Sequence, residues 1–71
     1  MSYDVKINEY YLLGNGEIGQ VCLIFDTTFD LIVGNHMYIY QYNGTRSSNK
    51  NYPGYKIVKK ISRELNPEYF L

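Results

Sequence analysis

Apolar and polar residues alternate along much of this chain with a period of two, the spacing of half-buried strands. The pattern predicts strands over residues 3–7, 17–25, 31–33, 36–42 and 55–61. Residues 9–13 either extend the first of these strands or turn away from it. Within residues 36–42 both faces are apolar or amphipathic, as expected of a strand at the centre of a small barrel or sandwich.

Glycine and asparagine separate these segments at residues 14–16, 34–35 and 43–44. Both residues readily adopt positive φ, and Asn-Gly is among the strongest signals for a hairpin. Gly19, inside the second predicted strand, indicates a bulge or bend. The sequence therefore predicts an all-β fold, a single small barrel or roll of about five antiparallel strands over residues 1–71.

The stretch between residues 45 and 54 is polar, lacks periodicity and ends in Pro-Gly. It is longer than the usual hairpin loop, so it is either a functional loop or a mobile hairpin tip. Residues 62–65 predict a short helical turn, which must end before Pro67 because the residue preceding proline avoids the helical region. The apolar residues at 69–71 are expected to pack on the body of the domain.

From Leu31 onward the layout is similar to that of SH3-like barrels. Residues 31–35 form a turn before a strand, and residues 65–69 form a turn before a short final strand. The resemblance is one of pattern and covers about half of the chain. The tryptophan and acidic loop of peptide-binding SH3 domains are missing, so a groove for proline-rich peptides is not implied. An OB-like barrel is the alternative.

Small size limits how this chain is stabilised. A 71-residue domain buries a modest share of its surface. One cysteine excludes a disulfide within the chain, and one cysteine with one histidine cannot form a four-ligand zinc site. Small scaffolds that lack both a disulfide and a metal often rely on association, so these exclusions favour oligomerisation.

Seven basic and seven acidic residues give a net charge of zero, which disfavours a protein that neutralises a long nucleic acid. Residues 1–11 lack the basic segment and apolar core of a signal peptide, and no apolar run approaches the length of a membrane span. With the free cysteine, these features predict a soluble cytoplasmic protein without membrane contact.

The composition is unusual in its nine tyrosines and in the absence of tryptophan and alanine. Tyrosine, asparagine, isoleucine and lysine use AT-rich codons, which indicates a low-GC bacterium or its phage. The absence of alanine disfavours helices, whereas tyrosine, isoleucine and valine favour strands.

Catalytic candidates are few. His36 is the only imidazole, and as a general base it would need a nucleophile and an orienting carboxylate. Cys22, Asp26 and Asp30 are the available partners, but their spacing fixes no geometry. We interpret His36 as a strand-entry residue and Cys22 as a small buried hydrophobe, and we predict that the protein is not an enzyme.

Two further motifs are weak. Asp26 and Asp30 are too few to hold calcium, so no metal site is expected. Gly14, Gly16 and Gly19 have the spacing G-x-G-x-x-G, which indicates nucleotide binding only where it follows a strand and opens a helix. The residues after Gly19 predict a strand instead. We interpret the match as chance and expect no cofactor.

The tyrosines are the main functional signal. A stripe at Tyr38, Tyr40 and Tyr42 shares one strand face, and tyrosine with arginine is typical of recognition surfaces. The predicted binding residues are Tyr38, Tyr40, Tyr42, Arg46, Lys50, Tyr52 and Tyr55. Whether the stripe is core or surface stays open. If Met37 and Ile39 fill the interior, the stripe forms an outward apolar patch that needs a partner.

The leading hypothesis is a non-catalytic, phage-encoded protein that binds and inhibits or modulates a host partner protein. One alternative is a homo-oligomer that sequesters a nucleotide or cyclic nucleotide, with Arg46, Lys50 or Arg63 on the phosphates. A second alternative is a module for single-stranded nucleic acid, whose basic flank is Lys56, Lys59, Lys60 and Arg63.

Overall fold

The computed structural model describes residues 3–71, which form one five-stranded antiparallel sheet. The strands are β1 (Tyr10–Leu13), β2 (Ile18–Ile24), β3 (Thr28–Val33), β4 (His36–Gln41) and β5 (Ile57–Ile61). One short 3₁₀ helix, Pro53–Tyr55, lies between β4 and β5, and a second, Pro67–Phe70, follows β5. The spatial order β4-β3-β2-β1-β5 joins the first four strands as a meander and returns β5 to β1. The predicted all-β class with about five antiparallel strands is confirmed.

No helix within residues 3–71 combines the length and the apolar character needed to cross a membrane.

The strand predicted over residues 3–7 is wrong. The backbone N–H of Tyr3 donates a hydrogen bond of 2.8 Å to the carbonyl oxygen of Tyr42, and the ring of Tyr3 packs edge-on against Tyr11 at 5.6 Å. Asn8 then takes a φ of 71°, which turns the chain into β1. The alternation arises because Tyr3 and Val5 pack against the core without joining the sheet.

The irregularity predicted at Gly19 lies three residues later. The register of β2 on β3 shifts between Val21 and Leu23, so the bulge is at Cys22. Gly19 itself is buried, and a Cβ atom there would lie 3.0 Å from Cδ1 of Leu31. This glycine therefore makes room for a core side chain of β3.

The C-terminal segment ends in a 3₁₀ helix instead of the expected short final strand. Residues 63–65 form a turn, and the helical turn begins at Pro67, a residue suited to the first helical position because its φ is already fixed. Phe70 packs edge-on against Tyr10 at 4.8 Å. A short helical turn near the C-terminus is thus present, but after the proline.

The core lies on the concave inner face of the sheet and is largely aromatic. Phe29 is at its centre, with ring centroids 6.2 Å from Tyr11, 6.1 Å from Tyr40 and 5.2 Å from Tyr42. The aliphatic members are Leu13, Val21, Leu31, Val33 and Ile57. Offset aromatic pairs of this kind contribute about 0.5–1.5 kcal/mol beyond the burial of their area.

The sheet curls until its two edge regions meet. The N–H of Ile57, at the start of β5, donates a hydrogen bond of 2.9 Å to the carbonyl oxygen of Gly44, just beyond β4. Along β5 the residues Val58, Lys59 and Lys60 are exposed. Lysines on an edge strand discourage pairing with other sheets, as the sequence pattern indicated.

The Tyr11 hydroxyl yields a first prediction. Within residues 3–71 it is the one fully buried polar side-chain atom that has no hydrogen-bond partner. Because an unpaired buried hydroxyl is unfavourable, Tyr11→Phe is expected to leave the free energy of unfolding unchanged or raise it by about 1 kcal/mol. Urea unfolding at neutral pH measures this, and a clear loss of stability would contradict it.

Tyr11 also makes the stability of the protein depend on pH in the alkaline range. Burial raises the pKa of Tyr11 to about 12, whereas an unfolded tyrosine ionises at about 10. The folded protein therefore binds more protons than the unfolded chain between these values, so stability is fully present below pH 10 and falls as the pH rises towards 12. Tyr11→Phe should flatten that fall by up to about 1.4 kcal/mol per pH unit.

Candidate functional site

The tyrosine stripe faces the core, and the opposite side of β4 faces outward. Tyr40 is 0% exposed, whereas Met37 and Ile39 are 59% and 52% exposed. Tyr40 is paired with Phe29 across the β3–β4 ladder, so its ring enters the aromatic core. Tyr38 and Tyr42 are half-buried beside it. The question that the sequence left open is thus answered in favour of a core position.

Beyond β4 the chain folds back on itself. The N–H of Gln41 donates to the carbonyl oxygen of Thr45, and the N–H of Ser47 donates to that of Ile39, each at 2.8 Å. An antiparallel bridge joins Tyr40 to Arg46. The tight reversal places a long cationic side chain next to the strand of tyrosines.

Arg46 is enclosed between two tyrosine rings. Its Cζ atom lies 3.8 Å from the ring centroid of Tyr38 and 3.8 Å from that of Tyr55, and the residue is only 5% exposed. Its Nε–H donates to the hydroxyl of Tyr40 at 3.1 Å, and that hydroxyl donates to the carbonyl oxygen of Tyr55 at 2.6 Å. We call these four residues the Arg46 cluster.

The guanidinium of the Arg46 cluster is stabilised without a carboxylate. Within residues 3–71 the side-chain ion pair is that of Lys60 with Glu9, and no acidic group lies within 4.0 Å of Arg46. The electron-rich faces of the rings supply the compensating attraction, which is strongest where water is excluded. Displacement of these rings would expose the buried cation to the interior without compensation, which is unfavourable.

The hydroxyl of Tyr40 stays protonated at neutral pH. Burial raises the pKa of Tyr40 above its ordinary value, although the hydrogen bond and the charge of Arg46 act in the opposite direction. A neutral hydroxyl both accepts from Arg46 and donates to the backbone of Tyr55. The cluster therefore depends on a protonated phenol.

The segment of residues 43–56, which we call the tyrosine loop, is also held by the β1–β2 turn. The N–H of Gly14 donates to the carbonyl oxygen of Lys56 at 2.9 Å, and the N–H of Asn15 donates to that of Gly54 at 3.0 Å. A Cβ atom on Gly14 would collide with the carbonyl oxygen of Pro53. Only glycine permits this close approach, which attaches the end of the loop to the β1–β2 turn.

At the surface of the tyrosine loop, Tyr52 continues the row of rings. It packs edge-on against Tyr55 with centroids 4.5 Å apart, and it is 52% exposed. Lys50 is also exposed on this loop. The structure thus joins five of the predicted binding residues in one network: Tyr38, Tyr40, Arg46, Tyr52 and Tyr55. Tyr42 packs on Phe29 instead of on these residues, and its hydroxyl donates to the carbonyl oxygen of Phe25.

The remaining sequence candidates are dispersed. His36 is exposed at the β3–β4 turn, with its ring 6.1 Å from Tyr38, and no hydrogen bond in the described chain joins it to Cys22, Asp26 or Asp30. Residues 3–71 contain no group of three or more potential metal ligands. The prediction that the protein is not an enzyme stays a prediction.

The proposed basic flank is largely engaged within the fold. Lys60 Nζ lies 3.2 Å from Glu9 and donates to the carbonyl oxygen of Asp4. Arg63 Cζ lies 4.7 Å from the ring centroid of Phe70. An open cleft of about 380 Å³ lies between β1, β5 and residues 62–66. Two of the charged residues that line this cleft, Lys60 and Glu9, form an ion pair with each other.

One surface was not singled out by the sequence interpretation. Leu23, Ile32, Met37 and Ile39 are each 42–59% exposed and lie on the outer face of β2, β3 and β4 around Asp30. Aliphatic residues at alternate positions of two neighbouring predicted strands are consistent with such a surface. The sequence does not show which face of β4 is outward, so it cannot tell whether these residues are exposed or buried.

Comparison of this chain with protein-family models, curated proteins and solved structures found no match.

The hydroxyl of Tyr40 provides a second prediction. Tyr40→Phe removes the acceptor of Arg46 Nε–H and the donor to Tyr55, so the free energy of unfolding is expected to fall by about 1–3 kcal/mol. Tyr11→Phe is the matched control, because it deletes a buried phenol oxygen that has no hydrogen-bond partner within residues 3–71. Equal stabilities for the two variants in urea would contradict the role of the Arg46 cluster.

The planar guanidinium provides a third prediction. Arg46→Lys keeps the charge but loses the stacking surface and the Nε donor, so stability should fall by about 1–3 kcal/mol. Amide exchange at Ser47 should accelerate in the variant, because the fold-back loses its anchor. Arg63→Lys is the control, since Arg63 also lies over aromatic rings but is exposed, and its effect should remain below about 0.5 kcal/mol.

Proposed function

We propose that this protein is a non-catalytic binding protein that modulates a partner protein through the tyrosine loop. The observation that carries the proposal is the enclosure of Arg46 between Tyr38 and Tyr55. It anchors the loop so that the ring of Tyr52 is held half-exposed at the surface. An anchored aromatic group with an accessible face supports a role in binding.

Tyrosine is well suited to such a contact. Its ring offers a large apolar area with few rotatable bonds, and its hydroxyl supplies a hydrogen bond at the rim. Residues of this type are enriched among those that dominate binding energies. Tyr52 is therefore the proposed central contact, with Lys50 as its cationic neighbour.

The engagement of the arginines favours a protein partner over a phosphate-bearing ligand. The guanidinium of Arg46 is enclosed by rings, and that of Arg63 lies over Phe70 and Tyr10. A nucleotide would need cations that are free to reach its phosphates. Of the cations assigned to that alternative, Lys50 is the one without a described ring contact or ion pair.

Several finer points belong to the same proposal. The β1–β4 meander, the 3₁₀ helix before β5 and the pairing of β5 with β1 support an SH3-like arrangement. Residue usage typical of AT-rich genes supports a phage-encoded modulator of a host protein. The free thiol of Cys22 supports a reducing, cytoplasmic location.

The test uses capture on the immobilised chain from a lysate of a low-GC bacterial host, followed by measurement of affinity for the recovered protein. Tyr52→Ala is expected to weaken binding by about 1–3 kcal/mol, as loss of a central aromatic contact does. The control is Leu65→Ala, at a residue that is 83% exposed and remote from the loop. It should bind as the wild type does.

Two results would contradict the proposal. One is the absence of any stoichiometric partner protein. The other is a partner that Tyr52→Ala retains with unchanged affinity while the variant remains folded. A thermal-shift screen with nucleotides and cyclic dinucleotides tests the sequestering alternative, since saturating ligand at about 100 times its dissociation constant adds about 2.7 kcal/mol. Light scattering shows whether such a ligand is bound by an oligomer.

A further inference from the structure

The outer face of the sheet carries an apolar surface with a carboxylate at its centre. We call Leu23, Ile32, Met37 and Ile39 the outer patch; each is between 42% and 59% exposed. The strand register places Asp30 directly between Leu23 and Ile39, and it places Met37 opposite Ile32. Four large side chains therefore surround one acidic residue on neighbouring strands.

Asp30 differs from an ordinary surface carboxylate. It is only 7% exposed, and within residues 3–71 no cationic group forms an ion pair with it and no group donates a hydrogen bond to its side chain. In the described chain, the one side-chain oxygen that is both fully enclosed and without a partner belongs to Tyr11. The oxygens of Asp30, which also have no partner, therefore still reach the surface. The carboxylate thus lies at the base of an apolar surface and lacks a donor.

These two features together indicate an occupant. A contiguous exposed apolar patch marks an interaction surface, and a desolvated carboxylate is stabilised by a charge-assisted hydrogen bond, most effectively from arginine. A second copy of this chain fits poorly, because two-fold pairing would bring the two Asp30 carboxylates towards each other. A nucleic acid fits poorly as well, because its phosphates would be repelled by the Asp30 carboxylate.

We propose that the outer patch is a docking surface for a protein segment that inserts an arginine or lysine over Asp30 and packs apolar side chains on the four surrounding residues. The cation pairs with the carboxylate, and the apolar neighbours exclude water from that pair. This site is separate from the tyrosine loop, and it does not depend on the proposed function.

Asp30 is then a residue that serves binding at the expense of stability. In the free protein Asp30 is only 7% exposed and has no ion-pair or hydrogen-bond partner for its side chain among the described residues, an arrangement that does not favour folding. An uncharged replacement of similar shape should leave the protein equally or more resistant to heat while weakening the docked segment. A purely structural aspartate would show the reverse.

The experiment is a selection of random linear peptides from a displayed library on the folded full chain, followed by synthesis of the enriched sequences. The expected peptides contain arginine or lysine beside apolar residues. Asp30→Asn should weaken the best peptide at least about tenfold without lowering the melting temperature. Met37→Ser should also weaken it, and the wild-type affinity should fall with added salt.

Matched controls lie elsewhere on the chain. Glu68→Gln removes an exposed carboxylate in the second 3₁₀ helix, and Leu65→Ser removes an exposed leucine from the turn at residues 63–65. Both should bind the peptide normally. Tyr52→Ala should also retain it, which separates failure of this proposal from failure of the tyrosine loop.

Several results would overturn the inference: no enrichment of any peptide, enriched peptides without a cation, or equal affinity for wild type and Asp30→Asn. A lower melting temperature for Asp30→Asn would assign the carboxylate a structural role instead. Self-association of the wild type that Met37→Ser abolishes would identify a second copy as the occupant and would likewise overturn it.

Discussion

The structure depends on how one buried positive charge is accommodated. Arg46 enters the interior with 5% of its surface exposed, and removal of a guanidinium from water is unfavourable unless the surroundings compensate it. The compensation comes from two ring faces and one phenol oxygen. Those groups come from β4 and from the chain before β5, so satisfying the charge also sets the position of both elements.

An aromatic core suits a chain of this length. A single curled sheet has no second layer, so its inner side chains must be long enough to meet one another across the interior. Tyrosine supplies that length, and its hydroxyl reaches the polar rim, where Tyr40 donates to Tyr55 and Tyr42 donates to Phe25. Tyr11 is the exception, because its oxygen ends within the core and has no hydrogen-bond partner among the described residues.

The strands and turns were largely predictable because period-two alternation and Gly/Asn turns act locally. The β3–β4 hairpin at Gly34 follows directly from these signals, and Gly34 has the positive φ expected there. The N-terminal segment misled the prediction because alternation also occurs where a chain packs against the end of a sheet. Similarly, Pro67 predicts that a preceding helical turn must end, whereas in the structure it begins the 3₁₀ helix Pro67–Phe70.

The candidate site was predictable only in part. The residues of the Arg46 cluster could be listed from composition, but their contact depends on the fold-back after β4, which joins Tyr40 to Arg46. The orientation of β4 could not be deduced, since both of its faces are apolar and a shift of one residue exchanges them. For the same reason, the sequence could not show that the apolar residues around Asp30 are exposed.

The contact between Gly14 and Pro53 has a consequence for the cost of recognition. A loop as long as residues 43–56 ordinarily samples many conformations, and a partner must restrict them all when it binds. Here the β1–β2 turn forms hydrogen bonds with the end of the loop, and the Arg46 cluster contacts the loop at a second place. Part of that conformational entropy is therefore lost during folding, before any encounter, so a partner has fewer loop conformations left to restrict.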